Sequence, residues 1–537
     1  MQLQGRPEKG RLKGPQKGRG KGNRMIRKSV YAALLAGCAL TYPAVAAAQD
    51  VPARQPAEPT EPDQSDATAD AAIASAQPVD ELQAKIELLQ AQVEALQEAL
   101  ESVKAAQVKA TPSWKGGPEL ADKDAGFTFK PRGALQFDAG YVGFPNGEEL
   151  NGTVGGLNYN NLGWNSRARR ILFGADGTLP GGFRYSAEFN FAQGSVDYED
   201  IFIAYDFKKV PLTVQAGNIY PFSSLETMTS SKFTSFMERA SFTDAFSFNR
   251  RLGVGFTFSD KKTDRWLFQA GLFNQPINES ANFNRTGWEA AARGVFSPTL
   301  GTTRLHLGAS AHYRVNNQDA QNERLRTRPL TQVTDQRFVD TNAIAAESDT
   351  YVGVELAAIH KSLHFAAEAQ KIWINSIDPG STFDPNNGTG GGSLLNGNPS
   401  FWGGYAEVGY YLTGETRGYK GGRFDRTKVL KPFDQGGWGA IQVNGRVDAV
   451  ELRDRVDNSS ASLATPFYVN GGRQIGYQLS LIWNPTDYLR FMGQYGHLDI
   501  TGGPRAVSPL FAPADLTPVN RRKFDVDTAA VRAQVDF

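Results

Sequence analysis

Cysteine is almost absent from this chain of 537 residues: Cys38 is the single one, inside an apolar run near the N-terminus. The rest can hold neither a disulfide framework nor a thiolate centre. Five histidines leave little material for metal sites. Apart from residues 29–48 there is no stretch near the roughly 20 consecutive apolar residues that a membrane-spanning helix needs, which excludes a helical membrane protein with several spans. No Ser/His/Asp spacing, metal cluster or phosphate-cradling glycine loop is visible, so an enzyme is the weakest class of function, no catalytic or metal residue is nominated and no cofactor is implied. What the chain has instead is 56 Gly together with 33 Phe, 18 Tyr and 8 Trp. That mixture points to β structure with many turns and is too aromatic for a disordered chain.

The near-neutral total hides an uneven distribution. Residues 1–24 hold eight basic residues and one acid, 49–126 hold six basic and fifteen acidic, and 127–537 hold 41 basic and 40 acidic. Only the last block is long enough to bury a sizeable core. Met25-Ile-Arg-Lys, the apolar run 29–48 and the small residues Ala46 and Ala48 read as a secretory signal peptide cut before Gln49. Residues 1–24 then look like an extension from a misplaced start, with Met25 the expected first residue. A basic nucleic-acid arm competes, but it would precede an export signal, so no nucleic-acid partner is expected. Leu35-Ala-Gly-Cys38 also fits a lipoprotein cleavage box, although the apolar residues after it make a poor tether.

Residues 49–78 carry few large apolar side chains and read as a linker. From 79 to 110 a heptad follows: Val79, Ile86, Val93 and Leu100 occupy one core position and Leu82, Leu89, Leu96 and Val103 the other. This narrow stripe predicts a coiled-coil helix joining subunits; a lone amphipathic helix lying on the next domain is the alternative. Residues 111–126 are expected to be a second linker.

From Phe127 the period changes to two. Phe183, Tyr185, Ala187, Phe189 and Phe191 alternate with Arg184, Ser186, Glu188 and Asn190. Leu305, Leu307, Ala309, Ala311, Tyr313 and Val315 likewise oppose Arg304, His306, Ser310, His312 and Arg314, and Ile475–Trp483 repeats the pattern. Sixteen such runs occur, near 131–142, 167–178, 182–193, 198–208, 211–220, 250–259, 265–274, 286–298, 302–315, 348–361, 363–375, 402–413, 436–453, 474–484, 487–499 and 525–537. Connections after even-numbered runs are mostly tight and those after odd-numbered runs mostly long, the rhythm of a transmembrane barrel; 414–435 breaks it by being long. A soluble sandwich would put its apolar faces inward and rarely extends to some 400 residues. The expected architecture for 127–537 is therefore a 16-stranded antiparallel outer-membrane β-barrel, the closed sheet that satisfies its backbone in lipid, ending on Phe537 at the apolar face of the last strand.

Three places could narrow and charge an aqueous lumen. In Glu323-Arg324-Leu-Arg326-Thr-Arg328-Pro329 the arginines recur at spacing two and share one face of an extended backbone, about 6.6 Å apart. Such a ladder suits stepwise anion transfer, the planar guanidinium fork matching phosphate oxygens; arginines that only meet lipopolysaccharide phosphates are the alternative. The long connection 222–250 carries Phe222, Phe233, Phe236 and Phe242, which a solvent loop would not need, and is expected to fold into the lumen as a constriction. Arg169 and Arg170 are adjacent and cannot both face the lumen in a regular strand, so one should be structural or bulged.

At these residues the sequence resembles the phosphate-selective porins O and P, over about 127–537. The likeness rests on Arg132 in Pro131-Arg-Gly-Ala-Leu135, Arg169-Arg170, Leu225-Glu226 through Thr229-Ser230-Ser231-Lys232, Glu238-Arg239, Arg324–Arg328, Gly414-Glu-Thr-Arg417, Gly436-Gly-Trp-Gly-Ala440 and the final Phe. The resemblance implies a homotrimer of sixteen-stranded barrels passing phosphate or other small anions. It places Arg132, Arg169, Arg170, Ser230 and Ser231 at the constriction, with Lys232 beside them, and Arg324, Arg326 and Arg328 in the approach. It also accounts for 414–435, since such members carry an insertion before the Gly-Gly-Trp-Gly strand. Thr227 stands where phosphate-specific members have a lysine and Leu172 where they have a tyrosine, so anion preference is expected more firmly than orthophosphate specificity. The competing class is a structural envelope protein that tethers the outer membrane through its helix.

Overall fold

The computed structural model describes residues 79–110, 118–122, 124–147, 153–154, 157–158, 162–246, 248–278, 286–318, 321–378, 391–454, 469–506 and 516–537. The expected signal peptide, its extension, the 49–78 linker and residues 111–117 lie outside the described residues.

Val79–Ala110 forms one helix, α1, of 32 residues, about 48 Å long at 1.5 Å per residue. Its heptad side chains Ile86, Leu89, Val93, Leu96 and Leu100 are all exposed in the single chain.

The period-2 region closes into a barrel. Its strands are β1 (Phe127–Val142), β2 (Gly163–Leu179), β3 (Phe183–Asn190), β4 (Asp197–Asp206), β5 (Leu212–Ile219), β6 (Arg251–Ser259), β7 (Trp266–Phe273), β8 (Trp288–Phe296), β9 (Thr303–Val315), β10 (Ile344–His360), β11 (Leu363–Ser376), β12 (Ser400–Tyr411), β13 (Ala440–Asp454), β14 (Val469–Asn484), β15 (Leu489–Thr501) and β16 (Lys523–Asp536). Each pairs antiparallel with its sequence neighbours. β16 then pairs back onto β1, from Ala134↔Asp536 to Val142↔Thr528, so no edge is left. At the seam Gly133 and Phe537 exchange backbone hydrogen bonds, and a Cβ on Gly133 would lie 2.7 Å from the Phe537 ring. Each of the sixteen runs read from alternation is one of these strands. Part of the expected second linker is strand as well: Leu120–Asp122 turns back to pair with the start of β1.

Burial is inverted relative to a soluble fold. On β16, Arg532, Gln534 and Asp536 are buried while Val531 and Val535 are exposed; on β9, His306, Ser310 and His312 are buried while Leu307 and Tyr313 are exposed. Apolar side chains thus face outward, as lipid requires, and polar ones fill the lumen. Exposed aromatics collect at both rims: Trp164, Trp288, Tyr313, Trp373 and Trp402 on the long-loop side, and Phe183, Phe207, Trp266, Trp438 and Trp483 on the short-turn side.

The long connection between Tyr411 and Ala440 does not hang from the short-turn rim. It re-enters the barrel as a small hairpin, Gly418–Lys420 against Arg423–Asp425. There Gly422 O accepts from Arg293 on β8 (2.8 Å), and Arg426 pairs with Asp536 on β16.

Candidate functional site

The connection between β5 and β6 crosses the lumen, as its aromatics predict: Phe222, Phe236 and Phe242 are buried. Two short helices shape it, α2 (Leu225–Met228) and α3 (Ser241–Ala245). The Ser224 hydroxyl caps α2 by accepting from Thr227 N. Glu226 ties the loop to itself and to the wall. Its carboxylate accepts from Ala240 N (3.0 Å) and Thr243 Oγ1 (2.7 Å), and it pairs with Arg446 of β13 (2.7 Å), which also pairs with Glu407 of β12 (2.5 Å). Gly403 of β12 makes room for the Phe242 side chain, whose Cβ lies 2.2 Å from where a Cβ on that glycine would stand.

The loop tip is held by donors from the opposite wall. Arg490 donates to Lys232 O (2.8 Å) and Thr234 O (2.5 Å), Gln534 to Lys232 O (3.1 Å) and Arg532 to Met237 O (2.5 Å). Arg417, from the re-entrant connection, donates to Phe233 O. With its carbonyls spent on β15 and β16, the loop leaves the lumen open mainly along β1–β7.

Two cavities lie in that space. One, of about 80 Å³ on the long-loop side, is lined by Arg169, Arg170, Ser231, Glu238, Arg239, Asp244, Thr327 and Arg328 among others. The other, of about 620 Å³, reaches towards the short-turn rim between the β1–β7 wall and Gly421–Asp425; its lining includes Arg132, Arg170, Glu188, Arg239, Arg250, Arg423 and residues Thr227–Phe233. Arg170, Ser231 and Arg239 line both and so form the partition between them. Seven cations face five carboxylates in the larger cavity, and four face two in the smaller.

Most of these cations are answered. Arg132 pairs with Asp176 (2.8 Å) and Glu188 (3.0 Å), Arg169 with Glu238 (2.9 Å), Arg250 with Glu199 and with Asp200 (2.6 Å), and Lys232 stands 3.9 Å from Glu188. Among the described residues three cations on the path bond only neutral groups. Arg170 donates to Gln136 Oε1 (2.8 Å). Arg239 donates to the carbonyls of Glu226, Thr227 and Thr229, and Arg423 reaches Met228 O (3.5 Å).

The adjacent arginines of β2 are resolved by a bulge. Gln136 pairs with Arg170 and Phe137 with Ala168, so Arg169 is the extra residue; both guanidinium groups then line the long-loop cavity. Ser230 and Ser231 face the larger cavity beside them.

The 316–343 connection covers the long-loop mouth. It is tied to α3 through Asp244, which accepts from Arg328 N (2.9 Å), and to β2 through Asn165, which donates to Val333 O (2.7 Å). The arginine spacing has its expected consequence: Arg324 and Arg326 are exposed while Leu325 and Thr327 are buried. Its charge is largely answered, however. Arg324 pairs with Asp340 (2.6 Å) and Arg328 with Asp335 (3.2 Å), which also meets Arg167 (3.0 Å). Hydrogen bonding from Arg167, opposed by slight burial and reinforced by Arg328, holds the Asp335 carboxyl at about 2. The Arg328 charge therefore stays matched until pH falls through that value. Arg326 forms no ion pair among the described residues.

Arg239 and Arg423 line this space although the sequence nominates neither: Glu238-Arg239 enters there only as a motif, and nothing in the spacing of Arg423 says that its connection turns inward. The described residues contain one grouping with metal-ligand spacing, His497 with Asp525 and Asp527, and these alternate with lumen-facing residues, on the outer wall.

The family model described as "Phosphate-selective porin O and P" matches residues 123–537. The chain belongs to this porin family. A curated protein of Caulobacter vibrioides without assigned function is 35% identical over 446 residues, covering 81% of this chain and 78% of that protein. Porin O of Pseudomonas aeruginosa is 25% identical over 400 residues, covering 71% and 85%. Among solved structures, Pseudomonas putida OprB aligns with a TM-score of 0.44 at 11% identity, over 77% of this chain and 95% of that one. The anion-selective porin from Comamonas acidovorans aligns at 0.41 and 9%, over 76% and 100%. The family and the closed barrel make the protein an outer-membrane porin and point to a channel.

Proposed function

We propose that this porin is anion-selective and that Arg170, Ser231 and Arg239 set the preference. The observation that carries the reading is that the partition between the two cavities holds two guanidinium groups with no carboxylate partner. An anion crossing there meets charge that is not already neutralised, in a lumen where it is screened less than in bulk water, and a hydroxyl that accepts or donates without holding it tightly. Phosphate is one suitable solute. Thr227 has no charge to supply to the constriction and its N–H and hydroxyl both meet Ser224, and Leu172 supplies no hydroxyl, so larger phosphorylated or carboxylated solutes fit the same reading. In planar bilayers, added phosphate is expected to reduce chloride current; a current indifferent to phosphate removes phosphate from the solutes.

In the approach, Arg326 is the arginine left to attract solute. Arg326→Ala should weaken anion preference by at most about fivefold, the upper end of the 0.2–1 kcal/mol typical of an exposed charge pair; Arg324→Ala, which also strips Asp340 of its ion pair, should weaken it more, and Arg328→Ala, whose partner Asp335 keeps Arg167, should weaken it less than Arg324→Ala. Reversal potentials unchanged from wild type in all three variants would make these residues contacts for lipopolysaccharide phosphates instead.

The assembly proposed is a homotrimer in which α1 helices bury their exposed stripes against one another, the chain being exported by the 25–48 signal and cut near Gln49. Mass spectrometry of the mature N-terminus checks the cut. Leu89→Glu with Leu96→Glu puts charges into the seam and should lower the trimer's melting temperature in detergent; an unchanged trimer assigns α1 elsewhere. Deleting 49–110 should leave conductance intact, whereas a protein whose only task is to tether the envelope would lose its partner and show no conductance to lose.

A further inference from the structure

His312 of β9 touches the constriction loop both where it leaves the wall and where it returns. Its Nε2 lies 2.8 Å from Phe222 O, at the start of the loop, and its ring packs on Phe248 near the loop's end, with centroids 4.2 Å apart. On the other side its Nδ1 lies 2.7 Å from Glu289 Oε1 of β8. His312, Glu289 and Phe222 are all buried.

A carbonyl and a carboxylate can only accept, so each of these two bonds needs a hydrogen on the imidazole, whereas a neutral ring carries one. The pair therefore holds one proton more than a neutral histidine beside a carboxylate. The charge of Arg251 of β6, 3.0 Å from the second oxygen of Glu289, favours placing that proton on the ring. The other polar and charged groups around the imidazole have partners of their own. Arg314 of β9 pairs with Asp349 of β10 (2.7 Å) and with Glu323 (2.8 Å). Tyr351 of β10 meets the imidazole edge-on, with centroids 4.9 Å apart, and its hydroxyl reaches that of Ser223 (3.4 Å). A buried imidazolium here has its charge met by a carboxylate and both hydrogens accepted.

We infer that His312 is a positioning residue that fixes the base of the constriction loop as an imidazolium, and that loss of its second proton releases the loop base. Once the ring is neutral its one hydrogen serves Glu289 or Phe222 but not both, and the bare nitrogen faces an acceptor. The constriction then docks less firmly, whichever ions the lumen prefers.

Single-channel recordings of the full-length protein from mildly acidic to alkaline pH test this. Open-channel noise is expected to rise with pH, the undocked fraction growing about tenfold or more on loss of a hydrogen bond from a charged donor. His312→Gln should be noisy throughout, because its amide donates from one nitrogen. Glu289→Gln should be quiet throughout: its amide donates to Nδ1 of a neutral His312, whose Nε2–H keeps Phe222 O, and its oxygen still accepts from Arg251. Wild-type noise indifferent to pH, or a rise that persists in Glu289→Gln, overturns the inference. Solid-state NMR of wild-type protein labelled at histidine nitrogens and phenylalanine carbonyl carbons needs no variant. The ring in contact with a phenylalanine carbonyl should carry two N–H groups wherever the channel is quiet, and a single N–H there overturns the inference as well.

Discussion

Arg170→Glu is expected to abolish or invert anion preference, lowering the anion-to-cation permeability ratio by about tenfold or more. Two unit charges about 4 Å apart interact by about 4 kcal/mol at the dielectric of a protein surface, and a change of about 1.4 kcal/mol is already tenfold. Salt screening removes part of this, but the substitution changes the local charge by two. Arg170 carries little of the architecture, since its described bond is to Gln136, so the variant should fold. Arg169→Gln serves as the comparison: its partner Glu238 keeps Arg532 (2.6 Å), and selectivity should fall much less. The measurement is the zero-current potential of each variant in the same salt gradient. If Arg170→Glu keeps the wild-type value, the partition is not the selective element.

The second large effect concerns what holds the loop in the lumen. Arg446 is buried and neutralises Glu226 and Glu407 together. Arg446→Met keeps the volume and strands both carboxylates, and breaking a buried pair in this way typically costs about 3–5 kcal/mol. The sixteen-strand backbone ladder does not depend on this side chain, so the barrel should persist, as judged by heat-modified mobility on gels. The loop should lose its anchor, seen as a larger and noisier single-channel conductance and a lower unfolding temperature. Conductance and stability both equal to wild type would mean that the carbonyl contacts to Arg417, Arg490, Arg532 and Gln534 hold the loop without this ion pair.

The barrel was legible because lipid outside and water inside impose opposite polarities on alternate residues. Phe183–Asn190 and Thr303–Val315 carry that signal without reference to anything distant, and turn length then separates the two rims. Inward folding of the β5–β6 connection was legible for a related reason: its buried phenylalanines had no place in solvent. The course of the re-entrant connection was not. Gly418–Asp425 is polar and basic and reads as a surface excursion; what draws it inside is Gly422 O meeting Arg293 and Arg426 meeting Asp536, partners more than a hundred residues away. The same distance hides charge compensation. Arg532 and Asp138 are 394 residues apart, so counting arginines in a motif overstates free charge, as the ladder shows, where Asp335 and Asp340 answer Arg328 and Arg324 from later in the same loop. Spacing did place Arg324 and Arg326 on one exposed side of their segment, whereas Arg328 is half-buried and lines the long-loop cavity. Spacing could only pose the alternatives for Arg169-Arg170, because whether a bulge lets both point inward depends on the register with β1.

The most direct test of the account is the zero-current potential of the purified wild-type channel across a potassium chloride gradient. A potential whose sign follows the chloride gradient, and which moves towards zero in Arg170→Glu, is the predicted result. A potential that follows potassium, or a reconstituted barrel that carries no current, contradicts it.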